Sequence, residues 1–324
     1  MSDLVKLPAI HRPGKLPGHL RSNADGELPR RLTPRQIEES AQYYLQTDCS
    51  NLRNTVLELL YEFVILTEGT LFRLTSEQVD ISDKPASFRA RLNSYVRAGL
   101  IEPVSRGVLK QALRAGLPRP SAGTLRAYRL GPVGFEIAKV KFVTELNAPL
   151  VFSEVEDYQA HDLICAEAML KMQASWHKLA IEREAKNPRQ VFVRGPRALT
   201  LWDAEAEKGI VAPDGLIIKN ELDGTFSCAY LVEYHNNNAR MHVENKVAKY
   251  EHLAVDAYPG LWQSWDLEEM PVVMVIYRQG ATLQHYRDEL NHIAYKGIRA
   301  KYIAVSLADI WAGKLKSQQV REKK

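Results

Sequence analysis

The chain has 324 residues, 45% hydrophobic and 25% charged, with a net charge of +4; this is an ordinary globular composition, long enough for two or three domains. No apolar run approaches the roughly 18 residues that span a bilayer, and residues 1–33 lack the apolar core of a signal peptide. Cys49, Cys165 and Cys228 lie far apart, which excludes a CxxC metal or redox motif and reads as reduced thiols in a cytoplasmic, nucleoid-associated protein.

Residues 1–33 are rich in Pro, Gly and basic side chains without an apolar period, and read as a flexible basic arm. Thr33 followed by Pro34 marks a helix start. In "NLRNTVLELLYEFVIL" (51–66), Val56, Leu59, Leu60 and Phe63 recur at helical spacing. "EGTLFRLTSEQV" reads as a turn and a short second helix. A third helix carries Phe88, Leu92, Tyr95 and Val96 and stops at Gly99. "LIEPVSR" is a short strand, Arg106 to Arg126 a long basic loop, and "TLRAYRLGPVGFEIAKV" a returning strand plus helix.

Charge is unevenly placed along the chain. Residues 1–147 hold 21 Lys+Arg against 15 Asp+Glu, and residues 148–324 hold 22 against 24. Between Lys84 and Arg129 there are ten basic residues and one acid, Glu102. Such a local excess points to a polyanionic partner, because Lys and Arg displace counterions from phosphates.

Three helices followed by two strands around a basic loop is a winged helix-turn-helix layout. The stretch "SYVRAGLIEPVS…RAYRLGPVGFEIA" resembles winged-helix DNA-binding domains. With Phe88, Leu92 and Tyr95 facing the core, the candidates for contact with double-stranded DNA are Lys84, Ser87, Arg89, Arg91, Asn93, Ser94 and Arg97. Arg and Asn read guanine and adenine edges bidentately. Arg106, Lys110, Arg114, Arg119 and Arg126 would lie on the wing, against phosphate or minor groove.

A linker at 145–157 leads into a long helix with an apolar stripe of Leu163, Ala166, Leu170, Ala174 and Leu179. Strands follow at "QVFVRGPRALTLW", "GIVAPDGLIIK" and "FSCAYLVEYH", then a helix, a buried strand, a helix and a final strand. The order α-β-β-β-α-β-α-β implies a mixed sheet flanked by helices. The expected fold class is thus α+β or α/β. Its expected domains are the arm 1–33, a winged domain 34–147 and a sheet domain 148–324.

The second domain, with "PD" opening one strand and Glu233 closing the next, resembles the restriction-endonuclease-like PD-(D/E)xK fold. Together, the winged region and "H…PDG…LVEYHNNNAR…ENKVAKY" are similar to the replication-relaxation family of plasmids and other mobile elements, over roughly residues 50 to 310. The resemblance implies Asp214 and Glu233 as metal-binding carboxylates. It puts His235 where the nuclease pattern has a lysine, with Lys246 as a substitute cation and Glu167 or Glu184 as a third carboxylate. A histidine is a poorer fixed cation than a lysine near neutral pH. Mg2+ would then be needed only for an active site. Each residue also has a plainer role: Asp214 as a turn residue after Pro213, Glu233 paired with Arg240 or Lys246, His161 as a structural hydrogen-bonder. Asn236–Asn238 signal a turn, and Tyr258, Trp262 and Trp265 a packing plug or dimer patch.

The chain has no GxGxxG, GxxxxGK[ST], GxSxG or HExxH motif, which leaves nucleotide-driven and serine-hydrolase chemistry without support. The resulting expectation is a DNA-binding homodimer, acting in transcription regulation or in replication or transfer of a mobile element. Its nuclease-like domain would serve dimerisation or another protein partner, with no membrane association. The alternative is an active Mg2+-dependent endonuclease or nickase using Asp214 and Glu233.

Overall fold

The computed structural model describes residues 32–47, 50–79, 84–120, 123–142, 155–182, 191–196, 201–203, 208–220, 226–235, 240–255, 269–294, 297–314 and 317–320. In chain order the elements are α1 (Pro34–Gln46), α2 (Asn51–Phe63), β1 (Ile65–Thr67), α3 (Glu68–Gln78), α4 (Pro85–Arg97), β2 (Ile101–Pro103), α5 (Arg106–Arg114), β3 (Ala127–Leu130) and α6 (Pro132–Lys141). There follow α7 (Glu156–Glu182), β4 (Val191–Arg194), β5 (Leu201–Asp203), β6 (Lys208–Val211), β7 (Gly215–Asn220), β8 (Phe226–His235), α8 (Arg240–Val255), β9 (Val272–Tyr277), α9 (Gly280–His292), β10 (Tyr302–Ser306), α10 (Leu307–Trp311) and β11 (Gln318–Gln319). The fold is α+β: helices first, then a six-stranded mixed sheet. Among the described residues, no helix is long and apolar enough to cross a membrane.

The chain divides into two compact units. One comprises Met1–Tyr61, Glu68–Pro103 and Tyr128–Val143; the other comprises Glu62–Thr67, Val104–Ala127 and Thr144–Lys324. Residues 104–127 therefore group with the sheet, whereas a boundary after 147 would leave them with the N-terminal helices.

In the first unit, α1 starts as its sequence predicts. Gln36 donates its backbone N–H to Thr33 Oγ1 (3.3 Å), and Thr33 donates its own to Gln36 Oε1 (2.9 Å), a reciprocal cap with Pro34 in the first turn. Helix α2 ends at Phe63 rather than running to 66; its last residues, Val64 with a left-handed φ of 66°, and β1 are counted with the second unit. Leu57, Leu60, Leu71, Phe88, Leu92, Leu100, Val133 and Ile137 are all buried. Phe88 meets Phe72 edge-on, ring centroids 5.3 Å apart. Gly99, at φ 71°, turns the chain out of α4. Strand β2 then pairs antiparallel with β3, Ile101 opposite Leu130. Gly134 brings α6 onto the backbone of Leu100: a Cβ there would strike the Leu100 carbonyl oxygen.

In the second unit the sheet order is β11-β10-β9-β8-β7-β4. Strands β8, β9 and β10 run parallel, joined through α8 and α9; β4, β7 and β11 pair antiparallel. "GIVAPDGLIIK" is two strands rather than one, because Pro213 interrupts it: β6 pairs with β5, and β7 joins the main sheet.

Strand alternation sends side chains of β8 to opposite layers. Val232 and Tyr234 pack with Leu163, Ile164 and Met169 of α7. Leu231 packs with Val243, Val247 and Tyr250 of α8 and Tyr286 of α9. Of the expected stripe of α7, Leu163, Ala166 and Leu170 are buried and Ala174 is half-buried, and Ile164, Cys165, Ala168, Met169 and Met172 are buried in addition. The added face meets α5. The expected basic loop from Arg106 is in fact this helix, which buries Val108 and Ala112 in the α7 core.

Candidate functional site

Two features of different chemistry stand out, one in each unit. Helix α4 buries Phe88 and Leu92 and leaves Ser87, Arg89, Arg91, Asn93, Ser94 and Arg97 exposed. These fall into two rows at helical spacing, Ser87-Arg91-Ser94 and Arg89-Asn93-Arg97. Lys84 is exposed at the N-cap. Arg89 is already engaged: Glu68 Oε1 accepts from its Nε at 2.7 Å. Glu68 also accepts from the Tyr128 hydroxyl at 3.2 Å. Arg129 pairs with Glu102 across β2 and β3.

The second feature is the carboxylate cluster at the junction of β7 and β8. Pro213 ends the preceding extended chain, and the Asp214 N–H then donates to Val232 O (2.9 Å), bringing Asp214 beside the end of β8. Asp214 Oδ2 accepts the Tyr234 N–H at 2.8 Å. His161, from the first turns of α7, sets Nε2 2.9 Å from Tyr234 O and 3.4 Å from Asp214 Oδ2, and Nδ1 3.4 Å from Asp162 Oδ1. Burial opposes a charged ring, but the Asp214 charge and the hydrogen bonds to Asp162 and Asp214 hold the His161 pKa well above 6.5. As an imidazolium it donates from both nitrogens. Burial likewise opposes the Asp214 charge, yet His161, Lys246 and the Tyr234 N–H hold its carboxyl far below the usual range.

Glu233 sits on the other layer, only 1% exposed. Lys246 Nζ lies 2.8 Å from its Oε1 and 2.7 Å from its Oε2, and 3.4 Å from Ala212 O. The Tyr250 hydroxyl donates a short bond to Oε1. Lys246 and Tyr250 are four residues apart, so α8 presents both to one carboxylate. Burial pushes Glu233 up and Lys246 pulls it down, leaving it at about 7. Burial also opposes the Lys246 charge, but Glu233 and Asp214 keep the ammonium protonated.

His235 shares the Glu233 face two residues on, and its Nε2 meets the Tyr286 hydroxyl at 2.7 Å. Burial lowers its pKa to about 4, so the ring is neutral. It supplies no fixed cation in place of the expected lysine; Lys246 does.

Asp214, Glu233 and Lys246 thus come together as the sequence resemblance implies, while His235 turns to Tyr286. Glu167 does not join them: its Oε1 accepts the Thr67 N–H at 2.8 Å. Arg240 pairs with Glu244, not Glu233. Glu184, Asn236–Asn238, Tyr258, Trp262 and Trp265 lie outside the described residues. His161, Tyr250 and Tyr286 complete the cluster: His161 was named in the sequence as a structural hydrogen-bonder, the Lys246–Tyr250 spacing in "NKVAKY" was a readable signal, and Tyr286 had none.

The donor set does not fit Mg2+ as it stands. Both Glu233 oxygens are taken by Lys246 and Tyr250, and Asp214 Oδ2 by Tyr234 and His161. Among the described residues, no three His, Cys, Asp or Glu side chains are grouped to hold a metal. Two internal cations, His161 and Lys246, occupy the carboxylates instead. Comparison with protein-family models, with curated proteins and with solved structures returned no match.

Proposed function

We propose that this chain is a DNA-binding protein that contacts the duplex through helix α4. Its sheet unit is a nuclease-like scaffold that does not cut and serves in dimerisation or partner binding. The observation that carries the reading is α4 itself: a helix anchored by Phe88 and Leu92 whose exposed side is Ser87, Arg89, Arg91, Asn93, Ser94 and Arg97. The order α2-β1-α3-α4-β2-α5-β3 supports a winged helix-turn-helix whose β2–β3 connection carries α5; in that motif the third helix enters the major groove. The filling of both carboxylates by Lys246 and His161 supports a scaffold role over metal-dependent cleavage. Regulation of transcription, or replication or transfer of a mobile element, is the setting this suits.

The test selects bound duplexes from a random pool and measures affinity at several salt concentrations. The expected result is salt-sensitive, sequence-selective binding. Arg91→Ala and Asn93→Ala should each cost about 1–3 kcal/mol on the preferred site and relax its sequence preference. Absence of salt-sensitive binding sinks the reading. Cleavage of supercoiled plasmid with Mg2+ or Mn2+, abolished by Asp214→Ala and Glu233→Ala, would replace the scaffold role with an endonuclease.

A further inference from the structure

Helix α5 differs from a wing loop in what it can do. Arg106, Lys110 and Arg114 recur every fourth residue and are all exposed, so they form one row along the helix. Val108 and Ala112, on the opposite side, are fully buried with Leu163 and Ile164 of α7. The seat is fixed at both ends. Ser105 caps the helix, accepting the Val108 N–H at 3.1 Å and donating to Glu156 Oε1 of α7 at 2.7 Å. At the other end, Ala115 O accepts from the Tyr234 hydroxyl at 3.4 Å, and Gly116 turns the chain at φ 108°. From Pro103 to Arg126 the chain has no acidic residue, and Arg119 is exposed just beyond the helix. Glu156 Oε1 meets this segment at its N-terminal end, through Ser105.

We propose that α5 is a phosphate-backbone contact surface belonging to the sheet unit, with Arg106, Lys110 and Arg114 each meeting a phosphate of duplex DNA. It rests on the DNA-binding reading above. Eight residues at 1.5 Å rise make the row about 12 Å long. That matches about three to four base steps at 3.4 Å per step along one strand. The side chains stand on a helix rather than a loop, so contact orders the three side chains but no backbone. The row holds only Arg and Lys, and against phosphates rather than base edges these add affinity that does not depend on sequence. Recognition then divides in two: α4 discriminates and α5 holds.

The test uses the full chain with Arg106→Gln, Lys110→Gln and Arg114→Gln combined. All three positions are exposed, and a circular dichroism melt checks the fold. Binding to the preferred site and to an unrelated duplex is measured over a salt series. Three lost phosphate contacts should flatten the slope of log K against log salt by about 2.7. Affinity should fall by the same factor on both duplexes, leaving selectivity intact. An unchanged slope in a folded variant overturns the inference while the α4 reading stands. A change of selectivity between the two duplexes also overturns it, because α5 would then read bases. If the unmodified chain shows no salt-sensitive binding, the DNA-binding reading itself fails, and α5 with it.

Discussion

At the scale of single residues, the cluster around β8 places two buried groups with opposite proton linkage two residues apart. Glu233 is raised to about 7 from an ordinary value near 4.5, and His235 is lowered to about 4 from 6.5. Between pH 4.5 and 6.5 the folded state holds a proton on Glu233 that the unfolded chain has released. Stability from that group falls as pH rises. Over the same range the unfolded chain protonates His235 and the folded state does not, so its contribution rises with pH. Asp214, lowered, is ionised in both states here, and His161, raised, is largely protonated in both. The two slopes therefore oppose one another. Glu233→Gln should unmask the histidine, with stability climbing by about 2–3 kcal/mol from pH 4.5 to 6.5. His235→Gln should show the reverse trend. Denaturant titrations at several pH values read the slopes; parallel profiles for both variants would contradict the assignment.

At the scale of elements, α6 and α5 show how one residue type decides a packing distance or an exposed face. The Gly134 backbone lies so close to the Leu100 carbonyl that a methyl group there must displace α6. Gly134→Ala should lower stability by about 1–3 kcal/mol, at the upper end if the backbone cannot give. It should shift the denaturation midpoint with an unchanged m-value. The equivalent change at Gly69, which has open space around it, should be close to neutral. Helix α5 makes the complementary point. Apolar Val108 and Ala112 against basic Arg106, Lys110 and Arg114 is a helical pattern, but the charge and the Pro and Gly residues around it read more readily as a basic loop.

At the scale of the whole molecule, a single reading helix makes a small interface, and pairing two copies on a symmetric site multiplies affinity. On the proposed DNA-binding reading, a homodimer of this chain should prefer inverted repeats whose centres lie one helical turn, or a multiple, apart. Inserting about 5 bp, half a turn, should then cost more affinity than inserting a full turn. Equal affinity for both spacings would mean that each copy binds alone.

Much of the order of elements was legible in the sequence where it rests on local rules; β1, α5 and the division of the strand at Pro213 were not. Thr33-Pro34 starts α1, Phe88 and Leu92 set the buried side of α4, and Gly99 ends it. The alternation of "AYLVEYH" carries Glu233 and His235 to one layer. The approach of Asp214, Glu233 and Lys246 was legible too, through the strand order and the resemblance built on it. What only the tertiary structure decided was who meets whom across the layers. His235 stood on paper where the nuclease pattern has a lysine, as a poorer fixed cation; burial beside Tyr286 makes it neutral. Glu233 could have paired with Arg240 or Lys246; α8 packs Lys246 onto that buried carboxylate, and Arg240 turns to Glu244. Residues 104–127 read as part of the N-terminal domain, and the unfilled face of α7 draws α5 to the sheet instead. Such outcomes depend on desolvation and on contacts between residues far apart in the chain, which no local pattern records.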